Sequence, residues 1–499
     1  MQLQPAASTA GSSSLHQSLP PPLGGVNEAV PVNAMKATDA LRIVNGVVHD
    51  DGIMARAGTR NHGTIPGGAV QSMLNWAGEH AFAASASGLY RVQPNIVTPA
   101  VTLGITQGRW LGDMMSTPGG AFLVASNGFD GVKVYDGTVW RNCPVEGMQN
   151  PERLSCPTWH NRRVWFFKRG TLDCYYFEPS MFGGSAKLFP QAGVFNKGGE
   201  IVAIASMNGD NAENEGDQLV ILTSKGQIAI YRGHDPQRAE TWGKVGTWDG
   251  PVPLGWRPMA NIGGNTAIIT KEGVITVPDL TKAKSERKDT TLTDRVTNTV
   301  YRETLSPHAA HWQLIETGAE HGAVILNRPD RNQSVLASKG WSEWREIDAT
   351  AWTYGDQCGA MFGTANGDVK LYGFGNDDDT RPIAGEIIHA PSKLGSPRLK
   401  TVTRVRPNIE APPMNPRFHA VSDTQEPKDR YRLVNATVGK PVAPVAFDTS
   451  LNTPVTKSRW GWRGCAGRGH MLAMVFAWDS RGPMTYRGMD VQANVGGNI

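Results

Sequence analysis

LVILTSKGQIAIYRGHDPQRAETWGKVGTWDGPVPLGWRPMANIGGNTAIITKEGVITVPDL, residues 219–280, contains one small design twice. Apolar residues 219–222 meet a polar turn closed by glycine (Thr223, Ser224, Lys225, Gly226), and alternating residues follow with Ile228, Ile230 and Tyr231. The second copy runs from Ala267 through Thr270, Lys271, Glu272 and Gly273 to Val274, Ile275 and Val277. Alternation gives a strand one buried face, and glycine after polar residues supplies the positive φ of a tight turn, so each copy predicts a β-hairpin. Gly226 and Gly273 stand 47 residues apart, within the roughly 40–50 residues of one propeller blade.

The hairpin recurs on both sides. Upstream it appears at 81–92 around Ser87 and Gly88, at 121–135 around Asn127 and Gly128, and at 163–177 around Gly170. Downstream, 323–326 turns through 328–332 into Val335 and Leu336, and 359–362 turns at Gly367 into Val369, Leu371 and Tyr372. Turns near 88, 128, 170, 226, 273, 330 and 367 make seven candidate blades. The expectation is an all-β chain in which residues 66–379 form a β-propeller-like ring of six to eight blades. One polar segment, 281–303, interrupts the pattern. Leu292, Val296, Val300 and Tyr301 fall near helical spacing, with Thr293 or Asp294 available as N-cap, so an exposed helical insertion is expected there, a subunit contact and a plain surface insertion fitting it equally.

The flanks differ in composition. Residues 1–22 are Ser, Ala, Gln and Pro with few large apolar groups, too little to offset the entropy of ordering unless they lie on another subunit or a distant part of the chain. They are read as an extended arm. Residues 23–65 show alternation at 40–44, turns at Asn45-Gly46 and Asp51-Gly52, and a close at Arg56 and Gly58, which predicts strands joining a later sheet. From about residue 380 prolines become frequent and alternation returns at 399–405, 417–421, 469–478 and 484–491. Residues 380–499 are therefore expected to form a C-terminal β-sandwich-like platform, with Trp460, Trp462 and Trp478 as its bulky core.

Composition narrows the function. Net charge is +4, but residues 381–499 carry 17 Lys and Arg against 8 Asp and Glu, a local +9 that leaves −5 for the rest. The asymmetry fits two differently employed surfaces, a basic one facing an acidic partner or DNA, or a solvated basic face. Cys143, Cys156, Cys174, Cys358 and Cys465 are odd in number and show no metal-ligand spacing, so they read as buried thiols of a protein folded in a reducing cytoplasm. No Lys or Arg precedes Lys36 and no apolar run approaches the roughly 20 residues of a span, so neither a signal peptide nor a membrane helix is expected.

Motifs for chemistry are missing. The chain has no GxxxxGK[ST] loop, no HExxH, no GxSxG elbow and no calcium loop. Three polar groupings have a blander reading that outweighs the chemical one: His308 and His311 as a partly exposed pair, Asp377, Asp378 and Asp379 as a solvated loop, and His49, Asp50 and Asp51 as a turn. The Ser-x-Asp-x-Gly-x-x-Trp turn of sialidase-type blades is absent, the turns reading Ser-Lys-Gly, Lys-Glu-Gly and Ala-Asn-Gly. No catalytic, cofactor-binding or metal-binding residue is assigned, and the chain is not expected to be an enzyme.

Several segments resemble one family. LPPPLGGVNEAVP at 19–31, followed by Arg56 and Gly58, is similar to the start of the tail nozzle proteins of short-tailed bacteriophages, also called tail tubular protein B. The most specific match is Gly226, Tyr231, Gly233, Asp235 and Pro236 followed by Trp242, with Pro253, Leu254, Gly255 and 262–277 beyond it. NRPDRNQSVLASKGWSEW at 327–344 and the closing strands at 462–497 resemble the family's later segments. The resemblance implies a virion protein made in the host bacterial cytoplasm: a homo-oligomer, hexameric in the family, at the distal end of a short tail. Its expected partners are the tail adaptor and portal proteins, tail fibres or spikes, and double-stranded DNA in transient passage during ejection. A glycan-binding or glycan-cleaving virion propeller and a monomeric scaffold propeller stand as the other readings.

Overall fold

Each of the seven turns joins the second and third strands of an antiparallel meander in a computed structural model of the chain. The structure describes residues 14–94, 96–207, 217–282, 291–318, 323–329, 331–338, 340–412, 414, 416–422 and 460–496. Blade 1 meanders through Ser72–Trp76, His80–Ser85, Gly88–Gln93 and Ile96–Val101. Blades 2, 3 and 4 repeat this four-stranded form, their first strands being Leu111–Thr117, Leu154–His160 and Ile201–Met207. Blade 5 has three strands, Met259–Ile262, Asn265–Thr270 and Gly273–Thr276. Blade 6 contributes Gln313–Thr317, Ala323–Asn327 and Gln333–Ala337. Blade 7 is Ala349–Gly355, Gly359–Thr364 and Asp368–Tyr372, and its outer strand is Thr59–Thr64, from ahead of blade 1.

The first strand of each blade lies against the first strand of the next, and that of blade 7 lies against that of blade 1. The seven blades therefore close into a β-propeller. Side chains latch every step of the ring. Ser72 Oγ donates to Gly108 O and accepts from Trp110 N between blades 1 and 2; Trp159 N donates to Asp113 between 2 and 3; Thr158 Oγ1 donates to Ile204 O between 3 and 4. Asn261 reaches Ser206 O, Gly263 N donates to Glu316, and Gln313 exchanges two hydrogen bonds with the Trp352 backbone. Thr350 Oγ1 lies 2.6 Å from Val70 O and closes blade 7 onto blade 1. Between the sheets, aromatics fill the wedges: Phe82, Trp110 and Tyr135 between blades 1 and 2, and Trp165, Tyr231 and Trp242 between 3 and 4.

The segment 281–303 is less helical than its spacing predicts. Its residues 283–290 lie outside the described residues; beyond them come a 3-10 turn, Asp294–Val296, and a helix, Thr297–Thr304. Neither expected cap acts as one. Thr293 Oγ1 accepts from Val274 N, and Asp294 Oδ1 accepts from Thr291 N, so both residues pin the segment to blade 5 and to its own turn. Val296 and Val300 are buried, while Tyr301 is exposed.

A second unit draws on Met1–Arg56, Ala337–Glu343 and Gly375–Ile499. In one of its sheets Lys400–Glu410 lies between Arg463–Gly469 and Thr485–Val495. The far edge of Thr485–Val495 is shared by Gly52–Ala55, paired in turn with Gly46–His49, and by the arm strand Ser14–Leu19, in register from Ser14 opposite Asn494 to Leu19 opposite Met489. The arm is thus ordered on a distant part of its own chain; residues 1–13 lie outside the described residues. The other sheet orders Gly25–Val26, Asp39–Val44, Arg381–His389, Leu472–Ser480 and Arg417–Ser422, with Gly340–Trp344 parallel to Gly25–Val26 and Asp39–Val44 through Trp341 and Glu343. The sheets face each other across Tyr486, which stacks on Phe476 at 4.8 Å and bonds His389 Nε2 at 2.7 Å, giving a β-sandwich-like domain.

Two expectations for this unit change. Trp478 is in the core, but Trp460 and Trp462 are only half-buried: Arg404 and Arg406 lie over Trp462 and Arg463 over Trp460, so these indoles serve guanidiniums at the surface. The acidic run is not a solvated loop either. Asp378 is buried and receives Arg56 Nη1 at 3.0 Å and Nη2 at 2.5 Å, while Arg56 Nε donates to Asn45 Oδ1 at 3.0 Å. Two charges of a buried fork cannot be separated without stranding one in low dielectric. The Arg56 that closes the N-terminal strands is therefore a structural pin. Residues 423–459, part of the basic C-terminal stretch, lie outside the described residues.

Two substitutions test these joints. Thr350→Val keeps shape and removes the hydroxyl at the ring seam; the expected loss is about 1–2 kcal/mol in urea unfolding, and an unchanged midpoint would show that the seam holds without it. Arg56→Met strands Asp378 and is expected to cost roughly 3–5 kcal/mol, whereas the double change Arg56→Met with Asp378→Leu recovers most of it.

Candidate functional site

The motif that carries the family resemblance is used for packing. Tyr231 and Trp242 stack with rings 10° from parallel at 5.8 Å, and Trp165 stacks on Trp242 from blade 3 at 5.4 Å. Tyr231 Oη donates to Gln191 Oε1 at 2.8 Å, and burial pushes its pKa up to about 12. Gly233 has φ +124°, and a Cβ there would stand 1.9 Å from Thr241 O, so the strand pair can cross only at glycine. Asp235 then binds Arg163 Nη2 at 3.2 Å and caps its own turn through Gln237 N at 3.2 Å. Tyr, Gly, Asp-Pro and Trp at this spacing build the joint between blades 3 and 4.

The other polar groupings do not assemble chemistry. Among the described residues no set of three or more His, Cys, Asp or Glu side chains could hold a metal ion. His308 and His311 sit on the 3-10 turn Pro307–His311, with His308 exposed. His49 Nδ1 meets Asp51 at 3.2 Å, and Arg487 reaches the same carboxylate at 2.8 Å, while Asp50 accepts from Ser338. All five cysteines are free, and burial raises the Cys143 thiol to about 12 and the Cys465 thiol to about 11, far from a thiolate nucleophile.

Unusual electrostatics gather instead on and just ahead of the first strands, which surround the propeller axis. Asp113, on the first strand of blade 2, accepts Met114 N at 2.9 Å and Trp159 N at 2.7 Å, one on each oxygen. Desolvation still prevails and raises its pKa to about 6. His160 is buried against Ser206 and Asn161 and its pKa is lowered by burial to about 4, so it is neutral at pH 7. Just ahead of the first strands, Arg109 of blade 2 reaches His311 of blade 6 at 3.4 Å, and Arg257 of blade 5 donates to Thr350 O of blade 7 at 3.1 Å. Blades 2 and 6 are not neighbours, so Arg109 bridges the axis at that end. No motif announces these residues; the shared signal is an arginine beside a tryptophan within two residues of a first strand, Arg109-Trp110 and Trp256-Arg257.

No family model matches the chain, and no curated protein matches it. Among solved structures, the chain is similar to the extracellular domain of a protein assigned as a hybrid two-component system in B. thetaiotaomicron (13% identity, TM-score 0.44, 63% of this chain and 39% of that one). It is also similar to the WD40 propeller domain of Doa1 (11% identity, TM-score 0.39, 63% and 97%) and to YCF48 from Cyanidioschyzon merolae (8% identity, TM-score 0.40, 63% and 98%). The chain spans about two fifths of the length of the first of these. At such scores the propeller assignment rests on the strand pairings themselves. No helix among the described residues is long and apolar enough to cross a membrane.

Asp113 makes stability depend on pH. A carboxyl whose folded pKa is about 6 against 3.8 unfolded takes up its proton earlier in the folded state, so its contribution to stability improves as pH falls through that window. Relative to Asp113→Asn, the native protein should gain on the order of 1 kcal/mol between pH 7.5 and 5. Denaturant titrations at the two pH values measure it; a difference that moves the other way would mean the carboxyl is not desolvated.

Proposed function

We propose that this chain is a structural tail protein of a short-tailed phage, forming with further copies of itself the nozzle through which genomic DNA leaves the virion. The observation that carries this reading is the Tyr231, Gly233, Asp235, Pro236 and Trp242 motif, the most specific part of the family resemblance, whose members form one packed joint of the propeller. A motif that specifies a scaffold suits a protein whose task is mechanical. The remaining features suit it as well: an all-β build, inter-blade wedges filled by large aromatics, and a hydrogen-bonded latch at every blade junction. Arg109 crosses the propeller axis to His311, so in this reading an opening wide enough for duplex DNA lies between copies and not through the blades of one copy. Modest net charge, +4, also fits a conduit, because phosphate affinity grows with each neutralised phosphate and would hold the DNA back. Six copies then surround the lumen, joined to the tail adaptor on one side and flanked by fibres.

Light scattering and negative-stain electron microscopy of the purified full-length protein, alone and in isolated virion tails, test the reading. Rings of about six copies around a hole of roughly 20 Å or more, wide enough for B-form DNA, are expected in at least the tails. A monomer in both samples, or a protein missing from the tail axis, would sink it. Glycan turnover that is lost in Asp113→Asn would favour a glycan-cleaving propeller instead.

A further inference from the structure

Four arginines are buried among the described residues, and three of them are neutralised. Arg56 is forked onto Asp378, Arg163 holds Glu178 and Asp235, and Arg328 binds Glu303. Arg257 differs. It is 8% exposed, its hydrogen bonds all leave from Nη2 to the carbonyls of Thr350 and His311, and its Nε, like that of Arg163, has no partner. Its guanidinium lies 4.7 Å from the centre of the Trp256 ring, a contact that leaves its charge uncompensated. The charged group that acts on it is Arg109, a second cation; burial first and this neighbour second lower the Arg257 pKa to about 9. Arg109 itself is exposed, and its Nη2 meets His311 Nε2 at 3.4 Å.

A buried guanidinium without a carboxylate is costly in a protein interior, and Arg257 with its neighbour Arg109 is held by contacts to His311 of blade 6 and Thr350 of blade 7. An arginine fork matches the geometry of a phosphate or carboxylate, and an anion between the two would supply the missing countercharge. We propose that Arg109 and Arg257, with the His311 imidazole beside them, form a binding site for a small oxyanion, a phosphate or a carboxylate, at the axis of the propeller. The site is independent of the conduit reading: it uses one copy of the chain and needs no DNA.

The full-length protein is melted in sodium chloride, sodium phosphate and sodium acetate at matched ionic strength and pH 7.5, and phosphate and acetate are titrated calorimetrically. The melting temperature is expected to rise saturably with phosphate or acetate and not with chloride, the two arms distinguishing the anion preferred. Arg109→Gln, at an exposed position, should fold normally and weaken the anion about tenfold or more, the loss of one charge-assisted contact. Arg109→Glu places a carboxylate beside Arg257; it should raise the melting temperature in chloride alone and abolish the response to phosphate and acetate. Equal responses to all three salts, or native anion affinity in Arg109→Gln, would overturn the proposal. Arg257→Gln should lose the response outright, but because a buried substitution can disturb folding, the Arg109 variants are the deciding ones.

Discussion

The propeller depends on one pairing made across almost its whole length of chain. Thr59–Thr64 lies antiparallel to Asp368–Tyr372, and Thr64 Oγ1 donates to Asp368 Oδ1 at 2.6 Å across 304 residues. Without that strand blade 7 has an unpaired edge, and its three remaining strands must hold the seam through the first strands alone. The entropy of closing so long a loop grows only logarithmically, so the closure is tolerable at equilibrium. Its kinetic consequence is larger, since a ring sealed by its most distant residues must form its other blades before the seam can stabilise them. The latches at each junction fit that order, each joining two consecutive blades and Thr350 joining last to first.

The second unit obeys the same rule, that distant parts of the chain complete each other's sheets. Ser14–Leu19 extends the edge of Thr485–Val495, and Arg56 pins the end of the N-terminal strands to Asp378. Both carry their stability in pairings that neither end of the chain possesses by itself.

The blades were legible because each second and third strand is an apolar run around a turn, and those two strands are the buried middle of the four-stranded blades. The outer strands were not. Ile96–Val101, Trp140–Asn142 and Lys187–Pro190 face solvent along much of their length, so burial imposes no period on their side chains. Alternation missed Arg463–Gly469 for a different reason. RGCAGRG has no apolar alternation, because Gly467 and Gly469 are strand residues whose missing Cβ atoms leave room for Ala420 and Ser422. Trp460 and Trp462 misled because indole size suggests a core, whereas a ring face also attracts guanidinium at a surface. Arg109 and Arg257 leave almost no sequence signal, since ring closure alone brings the starts of blades 2, 5, 6 and 7 together around one axis.

Charge satisfaction separates the parts of this molecule that hold its shape from those free to meet something else. Where a buried cation has its carboxylate, as at Arg56, Arg163 and Arg328, the partner fixes two strands relative to each other and has no valence left for a ligand. The Tyr-Gly-Asp-Pro motif belongs to this closed class, because Asp235 is engaged by Arg163 and by its own turn. A sequence signature can thus be specific and still say nothing about ligands. At Arg257 the same residue type is buried without that partner and beside another cation. Folding alone gains nothing from such an arrangement, since an apolar side chain of similar volume would pack there without the electrostatic cost. The axis of the ring is therefore the place where this propeller keeps an unsatisfied capacity for binding, whatever the assembly to which its outer surfaces belong.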